Sequence, residues 1–217
     1  MLKSKLFFIL FLISIIVLFA QGNKSFSSID FGVYGGINFY HTNEMRGDFL
    51  VEFKSNLFKS TNLQVSAGYI RSVQPYFSSV SKYSQNTIDT TPRFFATKYD
   101  IINKHYDIFP VSLGVQFIVF EGSLSPYISI NAVYNFMNSF IETSPPKVWS
   151  YNSIDEIPDE FKEIPEVVEL PTNSLGILFG IGATYNISGA LNFDIRYMFK
   201  YDNKIINTHH FIMGIYF

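Results

Sequence analysis

The sequence contains no cysteine, which excludes disulfide staples, thiolate metal sites and lipid attachment through sulfur. Charge is scarce and balanced: 16 Lys and Arg against 18 Asp and Glu leave a net charge of -2, so the basic field that nucleic-acid binding requires is missing. After the first 20 residues no apolar run approaches the roughly 18 residues of a membrane-spanning helix, which excludes a helical bundle. What is abundant is aromatic: 24 Phe and 14 Tyr in 217 residues.

At the N-terminus Lys3 and Lys5 precede an apolar stretch from Leu6 to Ala20. This pattern reads as a secretory signal peptide over residues 1–22, with cleavage after Ala20 or Gly22. An uncleaved anchor would need a longer stretch. The exported domain is then 23–217.

Along that domain, apolar residues recur every second position, the period of a strand. Ile29, Phe31, Val33, Ile37 and Phe39 oppose Asp30, Tyr34, Asn38 and Tyr40. The same split recurs over Phe49–Leu57, Leu63–Arg71, Val111–Val119, Ile128–Phe136, Leu175–Ile187, Leu191–Tyr201 and Ile205–Phe217. Eight strands result. Short connections ("KSTN", "EGSLSP", "SGA") alternate with longer ones after strands one, three and five, the last two exceeding thirty residues, while the final one around Asp202–Lys204 is brief. Tight turns at one end and long loops at the other are the organisation of an outer-membrane barrel.

Face composition separates this from a soluble β-sandwich, whose water-facing side would be rich in Lys and Glu. Here the second face carries Gly, Ser, Asn, Gln and Tyr with few charges, which suits the narrow interior of an eight-stranded barrel. Asp30, Glu52, Lys54, Asp194, Arg196 and Lys200 fall on that face and are expected to pair across the lumen, because a charge buried alone is costly. Phe39, Phe49, Tyr69, Tyr185, Tyr201 and Phe217 are the expected interfacial aromatics. The fold class is therefore all-β: an eight-stranded antiparallel up-and-down transmembrane β-barrel with long extracellular loops and periplasmic termini.

The stretches "YDIFPVSLGVQF" with Pro110, "LSPYISINAVYNF", "GILFGIGATYNISGALNFDIRYMF" with Arg196-Tyr197, and the terminal Phe217 resemble the small outer-membrane β-barrel family of diderm bacteria, similar to the X-type and A-type barrels. The resemblance covers most of the domain as a pattern rather than a sharp motif. It implies residence in the cell outer membrane among lipid and lipopolysaccharide. It also implies insertion by the barrel assembly machinery, which reads the last strand ending at Phe217. No single activity follows from it.

The chemistry-bearing residues do not assemble into a catalytic, cofactor or metal site in the sequence. His41, His105, His209 and His210 are the candidates a lipid-modifying enzyme would need beside a Ser and an acid on the outer wall. His209 should face outward among Tyr197, Phe199, Ile37 and Phe39, and His210 inward toward the charges. Gly176, Gly180 and Gly182 share one strand face and so do not form a phosphate loop.

Loop two, Ser72–Asp100, interleaves Tyr76, Phe77, Tyr83, Phe94, Phe95 and Tyr99 with Arg71, Lys82, Arg93 and Lys98. It is expected to extend the strands beyond the membrane. Contact with glycan, a protein partner or lipopolysaccharide phosphates is the functional alternative. Loop three carries Asp155, Glu156, Asp159, Glu160, Glu163, Glu166 and Glu169, with a short helical turn expected between Pro158 and Pro165. Its spacing lacks a dedicated calcium loop. The expected role is non-enzymatic, structural or surface-interacting, with an extracellular or periplasmic protein as a partner. The alternatives are an outer-leaflet lipid-modifying enzyme and a barrel subunit of a secretion or gliding apparatus. A solute pore is disfavoured by lumen size.

Overall fold

The structure is a computed structural model that describes residues 29–40, 45–58, 60–88, 91–163, 168–188 and 191–217. The signal-peptide assignment and its cleavage site lie outside these residues, as does His41.

Eight long strands close on themselves. They are β1 (Ile29–Phe39), β2 (Arg46–Phe58), β3 (Thr61–Ile88), β4 (Thr91–Ile118), β5 (Leu124–Thr143), β7 (Asn173–Ser188), β8 (Leu191–Asp202) and β9 (Thr208–Tyr216), with a short β6 (Lys147–Tyr151) outside the ring. Every neighbour pairs antiparallel, and β1–β9 together with β3–β4 complete the closure. Closure removes the sheet edges that would otherwise expose unpaired backbone to lipid. Phe217 prolongs the seam: its N–H donates to Phe31 O at 3.0 Å, and Phe31 N–H donates back to Phe217 O at 2.8 Å.

The period-two pattern decides which side of each strand faces out. Phe211, Met213, Ile215 and Phe217 are exposed, as are Phe49, Phe53, Ile128, Phe179, Ile181 and Ile195, whereas Tyr34, Asn38, Glu52, Asp194 and Arg196 are buried. A wall that is apolar outside and polar inside is the inverse of a soluble protein, and it matches a barrel solvated by lipid. Of the expected girdle, Phe49, Tyr185, Tyr201 and Phe217 are exposed, and Phe39 and Tyr69 are half-buried.

The segment Ser72–Asp100 extends the strands beyond the membrane, as expected, so most of the connection of over thirty residues after strand three is itself strand. Strands β3 and β4 continue their ladder from Ser72↔Tyr106 up to Ile88↔Thr91, interrupted by a bulge between Pro75 and Ser78. Alternating Val, Tyr and Ser sustain the pairing beyond the membrane as far as Ile88 and Thr91. On the other edge of β4, β5 reaches Thr143 opposite Ile101. The Pro145-Pro146 pair, lacking two backbone donors, then interrupts the ladder. It resumes as β6, with Lys147 opposite Lys98. A three-stranded sheet therefore rises from one side of the barrel wall.

Loop three packs on this sheet. Pro158 leads a 3-10 turn, Asp159–Phe161, as its position suggests, and a second such turn spans Ile154–Glu156. Ile157 and Phe161 bury against Ala96, Phe94 and Tyr151, and Trp149 meets Phe161 edge-on with ring centroids 5.5 Å apart. This small core makes the extracellular lobe a folded unit rather than a set of solvated loops.

Candidate functional site

Inside the barrel the side chains form storeys. In the storey nearer the periplasm, Arg196 Nη1 and Nη2 donate to Glu52 at 2.8 and 3.0 Å, and its Nε donates to Asp194 Oδ1 at 2.9 Å. Lys54 Nζ lies 3.3 Å from Asp194 and 3.4 Å from Glu52, and Tyr127 Oη donates to Asp194 at 2.8 Å. Two acids and two bases thus neutralise one another, which the alternation predicted for Glu52, Lys54, Asp194 and Arg196. Asp30 is different: it sits half-buried at the periplasmic end of β1, outside that cluster.

Lys200 belongs to a second polar storey nearer the exterior. Its Nζ donates to Asn135 Oδ1 at 3.0 Å and lies 3.7 Å from Asp202, whose Oδ2 also accepts from Ser174 at 2.7 Å. His210 faces this level, with Nδ1 2.6 Å from Asp48 Oδ2 and Nε2 2.8 Å from Thr208 Oγ1. Asn38 donates to the other oxygen of Asp48.

Between the two storeys lies an apolar layer of Leu50, Val133, Leu178, Met198 and Ile212, capped by Tyr34. These residues sit at interior positions, and the sequence reading passed over them because they interrupt its polar face. Their signal was legible as five aliphatic exceptions on otherwise polar faces. A second apolar layer, Ile70, Tyr106, Ile108, Met137 and Ile205, stoppers the extracellular mouth. Ile205 is carried inward by the β8–β9 turn, whose Lys204 and Ile205 N–H groups both donate to Asp202 Oδ1, at 3.0 and 3.2 Å.

Glycine provides room for the large interior rings. A Cβ on Gly182 would meet the Tyr127 ring at 2.6 Å, one on Gly180 would crowd Ser129 Oγ and one on Gly176 would meet the Tyr201 carbonyl at 2.6 Å, so the glycines on β7 make room at a crowded wall. Among these layers lies a cavity of about 20 Å³ lined by Glu52, Arg196, Lys200 and His210 among others. That is room for about one water molecule.

Asp48, His210 and Thr208 have the connectivity of a charge-relay triad. All three are buried inside the barrel, and their hydrogen bonds satisfy each other there. On the outside, His209 stacks on Phe39 with centroids 5.5 Å apart, and its Nδ1 lies 2.6 Å from Tyr197 Oη. Its neighbours are the aromatics that the register implied. His105 stacks flat on Phe140 at 4.7 Å and bonds Glu142 Oε2 at 2.9 Å, while Asn103 donates to the same oxygen at 2.7 Å. These two hydrogen bonds, Asn103 first, hold the Glu142 carboxyl below its ordinary range. Neither outward imidazole is bonded to a serine hydroxyl among the described residues. No group of three or more His, Asp or Glu side chains there could hold a metal ion.

No protein-family model matches the sequence, and no curated protein does. Solved structures share its outline. Ail, the attachment invasion locus protein of Yersinia pestis, seen in complex with the heparin analogue sucrose octasulfate, is 12% identical; the match covers 88% of this chain and 97% of that one, with a TM-score of 0.41. Neisserial surface protein A is 8% identical over 87% of this chain and 94% of its own, at 0.46. The N-terminal β-barrel domain of Pseudomonas aeruginosa OprF is 11% identical over 87% and 95%, at 0.45.

The chain has the fold of a small outer-membrane β-barrel. Its closed sheet, lipid-facing apolar wall and filled polar interior are those of a barrel that spans a membrane. Short turns and the Phe217 end share one rim, and the folded lobe stands at the other.

Proposed function

We propose that this protein is a non-enzymatic surface-interaction barrel of a Gram-negative outer membrane, anchored by an occluded barrel and acting through its extracellular lobe. The single observation that carries this reading is the division of labour in the structure. The lumen is crossed by interlocked polar and apolar layers, with a cavity of about 20 Å³ among them, while the chain spends its longest strands on a lobe with a core of its own. A filled barrel offers transport nothing, whereas a rigid lobe preorganises a contact surface.

The exported domain is 23–217, delivered by the signal peptide and inserted by the assembly machinery through the strand ending at Phe217. Its immediate partners are membrane lipid and lipopolysaccharide, and the lobe meets an external partner.

Because the chain lacks cysteine, Ser84→Cys introduces a unique thiol on the lobe. Intact cells treated with a membrane-impermeant maleimide should label this variant, and purified protein in planar bilayers should give no discrete conductance steps. Labelling only after the outer membrane is permeabilised, or reproducible channel steps, would overturn the reading.

A further inference from the structure

The lobe sheet sorts its charges by face. Strand alternation puts Phe94, Ala96 and Lys98 on one side, where loop three with its acids lies and Glu160 neutralises Lys98 at 3.0 Å. The other side is uncovered by that loop. On it Lys82 stands opposite Thr97, Ser84 opposite Phe95, and Asn86 opposite Arg93, with Tyr99 next along β4.

Lys82 and Arg93 are both exposed, and neither has an ion-pair partner among the described residues. Among the described residues the register allots no acid to this face: β6 contributes Val148 and Ser150. Lys82 Nζ sits 5.8 Å from the Tyr99 ring centroid. A cleft of about 350 Å³ opens there between Lys82, Thr97 and Tyr99 on the sheet and Thr143 and Pro146 on the β5–β6 connection. It lies in the size range of small-ligand sites.

We infer that this face binds an acidic oligosaccharide, its carboxylate or sulfate groups on Lys82 and Arg93 and a sugar face on Tyr99. Three observations favour a saccharide over another anion. The cations are separated by four residues of strand, about 13 Å, with aromatic rings at Tyr99 and Phe95 between and beside them. Neutral hydroxyls and an amide, from Thr97, Thr143, Ser84 and Asn86, fill the remaining positions and suit a polyol. The cleft is more open than enclosed, which suits a sugar ring laid across it better than a buried peptide side chain. Aromatic rings bind the C–H faces of sugars, and the cations add charge selection.

The inference rests on the lobe being the working surface. It is tested by titrating the full-length barrel in nanodiscs with trigalacturonate, sialyllactose and a sulfated disaccharide, against neutral maltotriose and a polyglutamate peptide. At least one acidic saccharide should bind tenfold or more tighter than maltotriose and than the peptide. Lys82→Gln, Arg93→Gln and Tyr99→Leu should each weaken it at least fivefold, while Lys98→Gln on the acid-covered face leaves it within twofold. Unchanged heat-modifiable gel migration shows that each variant has folded. Absence of binding by every acidic saccharide, equal binding of maltotriose or polyglutamate, or equal loss in the Lys98 variant would overturn the inference. Surface labelling and the missing conductance would still stand, so this failure is distinguishable from failure of the broader reading.

Discussion

Removing Arg196 tests whether the lumen is held together by charge neutrality. Its guanidinium satisfies both oxygens of Glu52 and one of Asp194. All of these side chains are at most 6% exposed. In Arg196→Met the two carboxylates keep only Lys54, and the cluster acquires a buried net charge of -1. Breaking a buried ion pair from one side costs about 3–5 kcal/mol, because the orphaned charge cannot be rehydrated. The double variant Arg196→Met/Glu52→Gln restores a neutral set of Lys54 with Asp194, so it should recover most of that loss despite having fewer hydrogen bonds. Reversible urea unfolding in lipid vesicles measures both, followed by circular dichroism. Tryptophan emission is unsuitable, since the single Trp149 lies in the lobe. An Arg196→Met barrel within about 1 kcal/mol of wild type, or a double variant no more stable than the single, would refute the reasoning.

Other consequences follow from the same geometry. Phe179→Arg, in the middle of the lipid-facing row of β7, should destabilise the folded barrel by about 2–4 kcal/mol, against about 0–1 for Tyr201→Arg at the interface, measured by the same unfolding assay. Gly182→Ala should cost about 1–3 kcal/mol by overpacking Tyr127. Gly35→Ala, whose Cβ would meet nothing within 4 Å, should be near neutral in the same titration. Phe161→Ala should shift Trp149 emission to the red and speed proteolysis of the lobe, yet leave heat-modifiable migration intact; loss of the barrel would show that the lobe is not a separate unit. The Glu142 carboxyl is held low by Asn103 and His105. Its contribution is therefore present above the ordinary Glu value and lost as pH falls through the lowered one. Hydrogen exchange at the β4–β5 rim should accelerate across that acidic window in wild type, and the step should be absent in Glu142→Gln.

The sequence by itself determined the barrel. Period-two alternation is a local property of the chain, and it assigned a lipid face and a lumen face to every strand without knowledge of any partner. It also placed His209 among aromatics and grouped Glu52, Lys54, Asp194 and Arg196, because a closed ring this narrow leaves inward charges no neighbours but each other. The lumen's division into storeys required the tertiary structure. Leu50, Val133, Leu178, Met198 and Ile212 look like isolated exceptions along separate strands, and only the stagger of the closed sheet brings them to one level. Lys200 likewise left the expected cluster because its height, not its face, selects Asp202 and Asn135.

The lobe shows the same limit. Ser72–Asp100 extends the strands as its composition suggested, but only the cross-strand register shows which of its residues share a face. The four basic residues noted there look equivalent in sequence. Packing of loop three then gives Lys98 to Glu160, cross-strand register gives Arg71 to Asp107, and Lys82 and Arg93 are left together on the open face. Which residues face lipid is a matter of spacing along one strand. Which charges remain available to a ligand depends on what the folded loops have already neutralised, and that is fixed only when strands far apart in the chain are brought side by side.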